Sequence, residues 1–480
     1  MTQPASSTLT HLQHLIQGQW VDGAGPRVTV RDKFTLQPLL TLDAADEAQV
    51  RHAVDTAQAA FRQGPLSPFE RGAVLERAAA LLEERLADFV QTMQREAGFT
   101  QSDATGEARR CIQTLKLSGE EARRLAGDMI PLMGAPNQKG RMGFTLRVPL
   151  GVVAAITPFN APLNTVAHKV GPAFAAGNAV ILKPSTQTPH IACKFAQLLL
   201  DAGMPRGFLS VLHGSAQVVK HLQDDERVRY FAFTGSTEVG RKIQAAAGLR
   251  RTQMELGSIA CTIVCDDADL DMALPKVVNA GYRKAGQVCT SVQLLLVHAS
   301  RVQEVEQRLT ALVKVLSFGD PQIPDTFVGP VISEDAAIRI DAWIQEAVAS
   351  GAQLLAGGPR QGAVIPPTLL TRVRDDMKVG CHEIFGPVMC IMPFDTLPQA
   401  IARVNATPYG LATGLFTNRL ADALAAAHQL EVGGVHINET SSSRVDLMPY
   451  GGSKDSGFGR EGPHYAVHEM TEERLVTITT

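Results

Sequence analysis

Helical spacing of apolar residues dominates the start of the chain. Val50, Val54, Ala57 and Phe61 recur at intervals of three or four residues behind Asp46, a pattern typical of an amphipathic helix. The same spacing continues through two further segments, each bounded by breaks that contain proline or glycine. The pattern predicts helices over about 44–64, 70–98 and 102–126.

From residue 151 onward, short apolar runs alternate with helical segments. The first series predicts strands over 151–156, 179–182, 208–212 and 228–234, with helices over 164–176 and 187–202 and one ending near 247. The second series predicts strands over 260–264, 294–297, 388–392 and 433–438, with helices over 270–284, 302–315 and 336–350. Such alternation is typical of parallel sheets with crossover helices, so an α/β protein is predicted.

Segments outside these series predict a projecting arm. Residues 128–131 and 143–148 look like two strands separated by a loop rich in glycine, proline and asparagine, which predicts a β-hairpin. The end of the chain, 474–480, alternates like an edge strand and is expected to pair with the hairpin, in this subunit or in a neighbour. Residues 1–19 are polar and are expected to be loosely attached, with ordered structure from Trp20.

Composition narrows the class of protein. A chain of 480 residues is too long for one simple core and predicts two or three domains. A net charge of −3, with acidic and basic residues interspersed, gives no sign of a nucleic-acid or membrane partner. Seven cysteines without a disulfide-like pattern fit a reducing compartment, and the first residues lack the features of a signal peptide. A cytoplasmic location is expected.

Cys289 is the leading candidate for covalent chemistry. It follows a glycine-bearing turn and precedes the apolar run 294–297, so its thiol is expected on a loop at a strand edge. Glu255 offers a carboxylate and Asn160 an amide, which together with a thiol make the set that acyl chemistry through a thioester needs. Each alone has a plainer interpretation, as a buried cysteine, a capping glutamate and a turn asparagine.

Residues 234–240 form a second candidate site, where a predicted strand runs into a glycine-containing turn and then a helix. Such a turn presents backbone N–H groups that bind phosphate. Because the full Gly-x-Gly-x-x-Gly spacing is missing, this turn alone is a weak indication of a nucleotide.

Six motifs in the expected order resemble the aldehyde dehydrogenase superfamily, and the resemblance extends from Trp20 to the terminal strand. The motifs are Pro-Phe-Asn-Ala-Pro at 158–162, Phe-Thr-Gly-Ser at 233–236, Glu-Leu-Gly at 255–257, Gly-Gln-Val-Cys at 286–289, Glu-Ile-Phe-Gly-Pro at 383–387 and the glycine-rich segment 449–457. The resemblance implies a Rossmann-type cofactor domain (1–126 and 149–254), an α/β catalytic domain (255–446) and a β-hairpin oligomerisation arm (127–148 and 465–480).

The resemblance also implies roles in the oxidation of an aldehyde to its acid. Cys289 attacks the aldehyde carbon, the Asn160 amide and the Cys289 backbone N–H hold the oxyanion, and Glu255 activates the water that hydrolyses the thioester. Members that pass the acyl group to coenzyme A lack this glutamate, so a free acid is the expected product. Ser258, where the superfamily usually has a second glycine, marks a bacterial branch and bears on the backbone room beside the nicotinamide.

The cofactor implied by the resemblance is NAD or NADP. The residues expected to bind it are Thr157, Pro158, Lys183, Ser185, Thr186, Gly214, Phe233, Gly235, Ser236, Val239, Leu256, Glu383 and Phe385. Where the superfamily often has a glutamate that repels a 2′-phosphate, this chain has Thr186, and Lys183 is free to pair with the phosphate. NADP is therefore expected to be competent, alongside NAD. In the plainer interpretation Lys183 is a surface charge and Thr186 an ordinary loop residue.

Small and polar residues after Asn160 indicate a small polar or anionic aldehyde. The candidate substrate contacts are Ala161, Asn164, Thr165 and His168 on one helix, with Arg109, Arg110 and Arg444 as anion clamps or, equally, as solvated arginines. The branch includes dehydrogenases for lactaldehyde, glycolaldehyde, semialdehydes and phosphonoacetaldehyde. An aromatic or larger aldehyde is the alternative.

Two other classes of protein compete with this interpretation. His464 and His468, four residues apart with Glu461 and Glu469 nearby, suggest a metalloenzyme, but no glutamate lies between the histidines and no metal is expected. A non-catalytic relative would have no reason to keep Cys289, Glu255 and Asn160 together. Because the hairpin and terminal strand are taken as unpaired edges within one subunit, a homodimer or a dimer of dimers is expected.

Overall fold

Local capping chemistry sets where the first helices begin. The Asp46 side chain accepts a hydrogen bond from the backbone N–H of Gln49, and the Gln49 side chain accepts one from the backbone N–H of Asp46. Ser67 and Glu70 form the same reciprocal pair in front of the second helix, whose first residue is a proline. Both boxes satisfy N–H groups that a helix start leaves free, which fixes the helix entry.

The computed structural model describes residues 9–480. Up to residue 256 the strands are β1 (Thr10–Leu12), β2 (His14–Ile16), β3 (Gln19–Val21), β4 (Arg27–Arg31), β5 (Pro38–Asp43), β6 (Met129–Ile130), β7 (Arg141–Pro149), β8 (Val152–Ile156), β9 (Ala179–Lys183), β10 (Leu209–Val211), β11 (Val228–Thr234) and β12 (Arg251–Glu255). The helices there are α1 (Glu47–Gln63), α2 (Pro68–Glu84), α3 (Leu86–Ala97), α4 (Gln101–Arg124), α5 (Asn164–Ala175), α6 (Pro189–Asp201), α7 (Ala216–Asp224) and α8 (Thr237–Ala247).

A second set of elements follows. Its strands are β13 (Cys261–Val264), β14 (Leu294–His298), β15 (Gln353–Ala356), β16 (Thr368–Thr371), β17 (Val388–Phe394), β18 (Tyr409–Gly410), β19 (Ala412–Phe416), β20 (Gly434–Ile437), β21 (Ser453–Lys454), β22 (Gly457–Phe458) and β23 (Thr471–Thr479). Its helices are α9 (Leu270–Tyr282), α10 (Val302–Lys314), α11 (Glu334–Ala349), α12 (Lys378–Cys381), α13 (Leu397–Ala406), α14 (Leu420–Gln429) and α15 (Pro463–Glu469). Short 3₁₀ helices lie at Leu132–Gly134, Arg283–Gly286 and Ala299–Arg301.

The first sheet has eight strands in the order β22-β12-β11-β8-β9-β10-β2-β3. The five from β12 to β10 run parallel, and β8 is buried along its whole length, as expected of a parallel strand covered on both faces. The register pairs Ile156 with Lys183 and Thr234 with Glu255. The carboxyl ends of β8, β9, β11 and β12 therefore meet at one edge, where ligands of open α/β sheets bind.

The second sheet has seven strands in the order β15-β16-β17-β14-β13-β19-β20, all parallel except β15 at one edge. The α/β fold predicted from the sequence is thus confirmed. The segment between α9 and β14 carries Cys289, which lines the same cavity as Glu255 at the end of β12. The second sheet therefore brings the nucleophile candidate towards the carboxyl edge of the first.

The arm consists of three antiparallel strands in the order β23-β7-β6. The predicted hairpin is confirmed, since Met129 pairs with Phe144. The terminal strand pairs with the hairpin inside the same chain, with Thr471 opposite Pro149 and Thr479 opposite Arg141. The expectation that both segments are unpaired edges within one subunit is wrong, because each satisfies the backbone groups of the other.

Two local predictions need correction, and some elements were missed. Residues 9–19 are not loosely attached, because β2 joins the first sheet with Leu15 opposite Val211; residues 1–8 lie outside the described part. The single helix predicted over 70–98 is two helices, interrupted at Arg85, which contacts Asp201. Apolar spacing continues across that one residue, so the pattern does not reveal the break. The elements that were not predicted are β1 to β5, α7, β12, β21, β22, α15 and those between 353 and 429 other than β17.

Two separate apolar cores, one around each large sheet, support the predicted domain division near residue 255, which we keep as a proposal. The chain returns to the first sheet at β22, after the predicted end of the catalytic domain. Across residues 9–480, no helix combines the length and the apolar character that crossing a bilayer requires.

Candidate active site

The edge where the parallel strands end opens onto a cavity of about 370 Å³. Cys289, Glu255 and Asn160, the three predicted catalytic residues, all line it. The other lining residues are Arg110, Pro158, Phe159, Ala161, Thr165, Thr234, Gly235, Ser236, Leu256, Gly257, Arg283, Lys284, Gln287, Val288, Thr290, Ile332, Ala336, Arg339, Glu383, Phe385, Arg444 and Tyr450. The cavity thus joins loops of both sheets.

A left-handed stretch of backbone turns the chain towards Cys289. Lys284 and Ala285 both have φ of 52°, and Gly286 has φ of 69°. A Cβ at residue 286 would collide with the backbone of Gly386. Both the conformation and the close approach require glycine there, and the turn leaves Cys289 half-buried at the cavity wall.

The Cys289 thiol sits 2.8 Å from the hydroxyl of Tyr450, its hydrogen-bond partner. Burial, and then the carboxyl group of Glu255, raise the pKa of the thiol to about 12. The Tyr450 hydrogen bond and the Arg444 cation act in the opposite direction. Without further change the sulfur therefore rests as a neutral thiol, and the thiolate that attacks a carbonyl must be stabilised by the groups around it.

Glu255 ends β12 and is 3% exposed. Its Oε1 atom has no hydrogen-bond partner among residues 9–480. Burial and the neighbouring Glu461 raise the pKa of Glu255 well above its ordinary value. A buried carboxyl group that lines the cavity and has one oxygen without a partner is suited to take a proton from water once it is ionised.

The neighbouring Glu461 stays ionised although it is buried. Lys169 Nζ lies 3.2 Å from its Oε1 and Arg444 Nη2 lies 2.8 Å from its Oε2. Burial alone would raise the pKa of Glu461, but these two cations hold it far below its ordinary value. A neutral carboxyl group in the cavity wall, Glu255, therefore lies near an ionised one behind it, Glu461.

The Asn160 amide is fixed in place by one of its two N–H groups. Its Nδ2 atom donates to the backbone carbonyl of Gln287 at 2.8 Å. Its backbone carbonyl accepts from Lys284 Nζ at 3.2 Å, and Lys284 is itself held by Glu107 at 2.6 Å. The second amide hydrogen remains available for an oxyanion, so the arrangement fits the predicted role.

At one end of the cavity, Glu383 accepts a hydrogen bond from the backbone N–H of Ser258 at 2.8 Å. Burial raises the pKa of Glu383 to about 7. A Cβ on the adjacent Gly257 would lie 3.0 Å from Glu383 Oε2. Phe385 packs edge-on against Phe159, with ring centroids 5.8 Å apart. Of the other predicted cofactor residues, Pro158, Gly235, Ser236 and Leu256 also line this cavity.

Lys183 lies at the end of β9, outside the main cavity. It makes no salt bridge within residues 9–480, and burial lowers the pKa of its ammonium to about 8. A half-buried cation without an anionic partner argues against an ordinary surface charge and fits a ligand that brings oxygens. The Lys183 ammonium has no anionic partner among the described residues, and Gly257 lies beside Glu383. Together these features fit the binding of an extended dinucleotide.

The remaining predicted cofactor residues lie around the same strand ends but outside the cavity lining. Thr157 is buried, Ser185 accepts from the backbone N–H of Gln187 at 3.1 Å, and Thr186 is half-buried. Phe233 is buried in β11, and Val239 is exposed on the first turn of α8. Gly214, with φ of 143°, follows β10.

The structure divides the predicted substrate residues into two groups. Ala161, Thr165, Arg110 and Arg444 line the cavity, whereas Arg109 is exposed on α4 away from it. Asn164 and His168 are buried behind the wall, where both bind Asp446 Oδ1, at 3.2 Å and 2.8 Å. They can therefore act on the cavity only indirectly, through the Asp446 carboxylate that also pairs with Arg110.

The sequence analysis missed Arg283 and Arg339, the two cavity arginines that make no ion pair within residues 9–480; Arg339 donates instead to the backbone carbonyl of Ile384 at 2.7 Å. Arg110 pairs with Asp446 at 2.6 Å and Arg444 with Glu461 at 2.8 Å, so both charges are balanced. Arg283 makes no ion pair with any residue of the described chain, and its Nη2 donates to Ser442 Oγ at 2.6 Å. The signal available in the sequence was the Arg283-Lys284 pair at the end of an apolar helix, six residues before the cysteine.

The histidine pair of the rival metal site is already engaged. His468 Nδ1 accepts from Arg147 at 2.8 Å, and His464 Nδ1 contacts Glu121 at 2.9 Å. Between residues 9 and 480, no group of three or more acidic, histidine or cysteine side chains is arranged to hold a metal ion. A guanidinium beside His468 disfavours a cation at that position.

Comparison with known proteins gives one consistent result. The sequence model of the aldehyde dehydrogenase family matches residues 20–476. The chain is 44% identical to a 3-sulfolactaldehyde dehydrogenase of Priestia aryabhattai, over 96% of this chain and 97% of that protein. Among solved structures it is similar to aldehyde dehydrogenase 21 of Physcomitrella patens in complex with the reaction product succinate, with a TM-score of 0.95, 38% identity and coverage of 98% and 99%.

A second solved structure bears on the cofactor. The NADP-dependent glyceraldehyde-3-phosphate dehydrogenase of Bacillus halodurans, complexed with NADP, matches with a TM-score of 0.95 and 33% identity. The match covers 98% of this chain and 99% of that one.

Proposed function

Because the chain belongs to the aldehyde dehydrogenase family, we propose that it oxidises a small aldehyde with an anionic tail to the free acid. The chain is an NAD- or NADP-dependent oxidoreductase that acts on aldehydes. What remains to be proposed is the role of each residue and the class of substrate.

Cys289 is the proposed nucleophile. Its thiolate adds to the aldehyde carbon and forms a thiohemiacetal, whose oxygen becomes an anion. The free N–H of the Asn160 amide and the backbone N–H of Cys289 are the donors for that anion. Since Gln287 and Lys284 already hold Asn160 in place, little reorganisation is needed when the charge develops.

The residues that would hold the cofactor are Glu383 and Phe385 at the nicotinamide end and Lys183 at the adenosine end. When bound, NAD or NADP supplies the hydride acceptor of the reaction. The neutral Thr186 beside Lys183 supports the use of NADP, because a glutamate at this position would repel a 2′-phosphate.

Glu255 is the proposed base of the second half-reaction. It removes a proton from water, and the resulting hydroxide attacks the thioester on Cys289 and releases the acid. Burial, and then the ionised Glu461 nearby, raise the pKa of Glu255, which makes its carboxylate a stronger base than an ordinary glutamate. The presence of Glu255 supports a free acid as the product, released by hydrolysis of the thioester.

One observation carries the proposed substrate class: Arg283 is a largely buried cation of the cavity without an anionic partner. Burial lowers its pKa, so an anion from the substrate would relieve an unfavourable situation. Ser442 bonds Arg283, and Thr290 Oγ1 lies 3.2 Å from Ser442 Oγ, so hydroxyl groups flank the guanidinium. A guanidinium with hydroxyls suits a carboxylate or sulfonate tail.

The relatives agree with this class, since one acts on a sulfonated aldehyde by its name and another was solved with succinate. The alternative of an aromatic or larger aldehyde gains no support. The cavity of about 370 Å³ includes the end where Glu383 and Phe385 would hold the cofactor, so only part of its volume is left for the substrate. A small aldehyde with a carboxylate or sulfonate fits the remaining space.

Arg283→Met tests the substrate class, with Arg109→Met on the exposed face of α4 as the matched control. Steady-state kinetics would compare succinic semialdehyde and sulfoacetaldehyde with neutral propionaldehyde. Loss of a hydrogen bond to a charged group costs about 1.5–3 kcal/mol, so kcat/KM for the anionic aldehydes should fall roughly 10–150-fold. Propionaldehyde should be unaffected. Equal losses for all three aldehydes, or none, would contradict the assignment.

The arm supports a proposed homodimer or dimer of dimers. β23 pairs with β7 on one side only, so its other edge is open, and Leu475 and Ile478 are exposed apolar residues of this strand. An edge strand with exposed apolar residues is a surface that a second copy covers. A cytoplasmic location stays a prediction.

A further inference from the structure

Tyr450 is held against the nucleophile by a chain of buried charged groups. Its hydroxyl lies 2.8 Å from Cys289 Sγ, and the Arg444 guanidinium lies 3.7 Å above its ring. Arg444 is fixed by Glu461, and Glu461 by Lys169. Within residues 9–480, Tyr450 is thus the one side chain that hydrogen-bonds the sulfur. Arg444, Glu461 and Lys169 hold its ring in position on the side away from the sulfur.

The surroundings of Cys289 otherwise oppose ionisation. Burial disfavours a thiolate most, and the carboxyl groups of Glu255 and Glu383 disfavour it further whenever they are ionised. The cations that face it are Arg444, behind the phenol ring, and Arg283. Neither guanidinium hydrogen-bonds the sulfur, so the direct stabilisation of negative charge on the sulfur depends on the Tyr450 hydroxyl.

The hydrogen bond changes character when the thiol ionises. With a neutral thiol, either the sulfur or the hydroxyl can donate. With a thiolate, only Tyr450 can donate, and the bond becomes charge-assisted and about twice as strong as a neutral one. A phenylalanine at residue 450 would fill nearly the same space. The contribution that is specific to tyrosine is therefore its hydroxyl group.

We propose that Tyr450 is a catalytic residue that stabilises the Cys289 thiolate by donating its phenolic hydrogen to the sulfur. Arg444 is a positioning residue, which holds the ring by stacking and makes the phenol a stronger donor. On ionisation the S–H bond breaks and its proton passes to water, while Tyr450 keeps its own proton. This role rests on the proposed function of Cys289 as the nucleophile.

Alkylation of Cys289 by iodoacetamide tests the proposal without cofactor or aldehyde. The rate is followed as a function of pH by mass spectrometry of the Cys289 peptide, since only the thiolate reacts. In Tyr450→Phe the midpoint of the profile should move up by at least about one unit, a tenfold loss of thiolate at a given pH. Tyr282→Phe, which removes another buried phenol bonded to the Thr368 carbonyl, should leave the profile unchanged.

Three further variants make the test independent of folding defects. A fluorinated tyrosine incorporated at residue 450 keeps the shape and donates more strongly, so it should move the midpoint down. Arg444→Met should move it up and Arg444→Lys less so. A Tyr450→Phe or fluorotyrosine profile that superimposes on that of the wild type would overturn the proposal. The proposed function falls separately, if Cys289→Ala still oxidises aldehydes.

Discussion

Lys169 and Glu461 form an ion pair that is almost completely buried, with Nζ 3.2 Å from Oε1 and side chains 1% and 2% exposed. Lys169 Nζ also donates to Gln253 at 3.0 Å, and Glu461 holds Arg444 beside Tyr450. The pair therefore links the first sheet to the loop that lines the nucleophile.

Removal of the lysine should destabilise the fold strongly. Lys169→Met leaves a buried carboxylate with Arg444 as its remaining cation, and loss of one partner of a buried pair costs about 3–5 kcal/mol. Lys220→Met, which breaks the exposed pair with Asp224, should cost about 0–1 kcal/mol. Urea unfolding at neutral pH measures both. Equal costs would show that the buried pair contributes no more than a surface one.

Hydrolysis of the acyl-enzyme should accelerate as pH rises. The pKa of Glu255 is raised, so the residue keeps its proton to a higher pH than the ordinary value of about 4.3 and is a base only above its own pKa. Single-turnover rates of acid release should rise through a midpoint above that value. Glu255→Gln should lower the rate ~10²–10⁴-fold and remove this pH dependence. If Glu255→Gln released the acid at the wild-type rate, Glu255 would not be the base.

The three proposed catalytic residues and the α/β order could be predicted from the sequence, because each lies in a short segment whose pattern is local. Tyr450 and Arg283 could not be assigned, since their roles depend on which charges they meet. Tyr450 contacts a sulfur 161 positions away, and Arg110 is balanced by an aspartate 336 positions away. Likewise, β2 joins the sheet only through β10. Such pairings depend on the fold as a whole.

Thr186 should determine the tolerance for NADP. A carboxylate beside the 2′-phosphate adds like-charge repulsion of about 1–3 kcal/mol in a partly desolvated cleft. Thr186→Glu should therefore raise the KM for NADP roughly 5–150-fold and change that for NAD much less. Thr186→Gln, of the same size but neutral, is the control. If wild type does not use NADP, or the glutamate leaves the ratio of the two cofactors unchanged, specificity depends on other residues.

The free edge of β23 should carry the subunit contact. Leu475→Glu places a charge on an exposed apolar position of this strand and should shift the protein towards monomers. Val315→Glu, at an exposed apolar position after α10, should not. Light scattering at micromolar concentration measures the mass. A monomeric wild type, or an unchanged mass in the Leu475 variant, contradicts the proposed assembly.

Trapping of the acyl intermediate tests the central claim most directly. Glu255→Gln enzyme is mixed with succinic semialdehyde and NADP, quenched within one turnover, digested and examined by mass spectrometry. The account predicts one equivalent of reduced cofactor and a succinyl adduct on the peptide that contains Cys289, with neither in Cys289→Ala. Reduced cofactor without an adduct on Cys289, or an adduct on another residue, would contradict it.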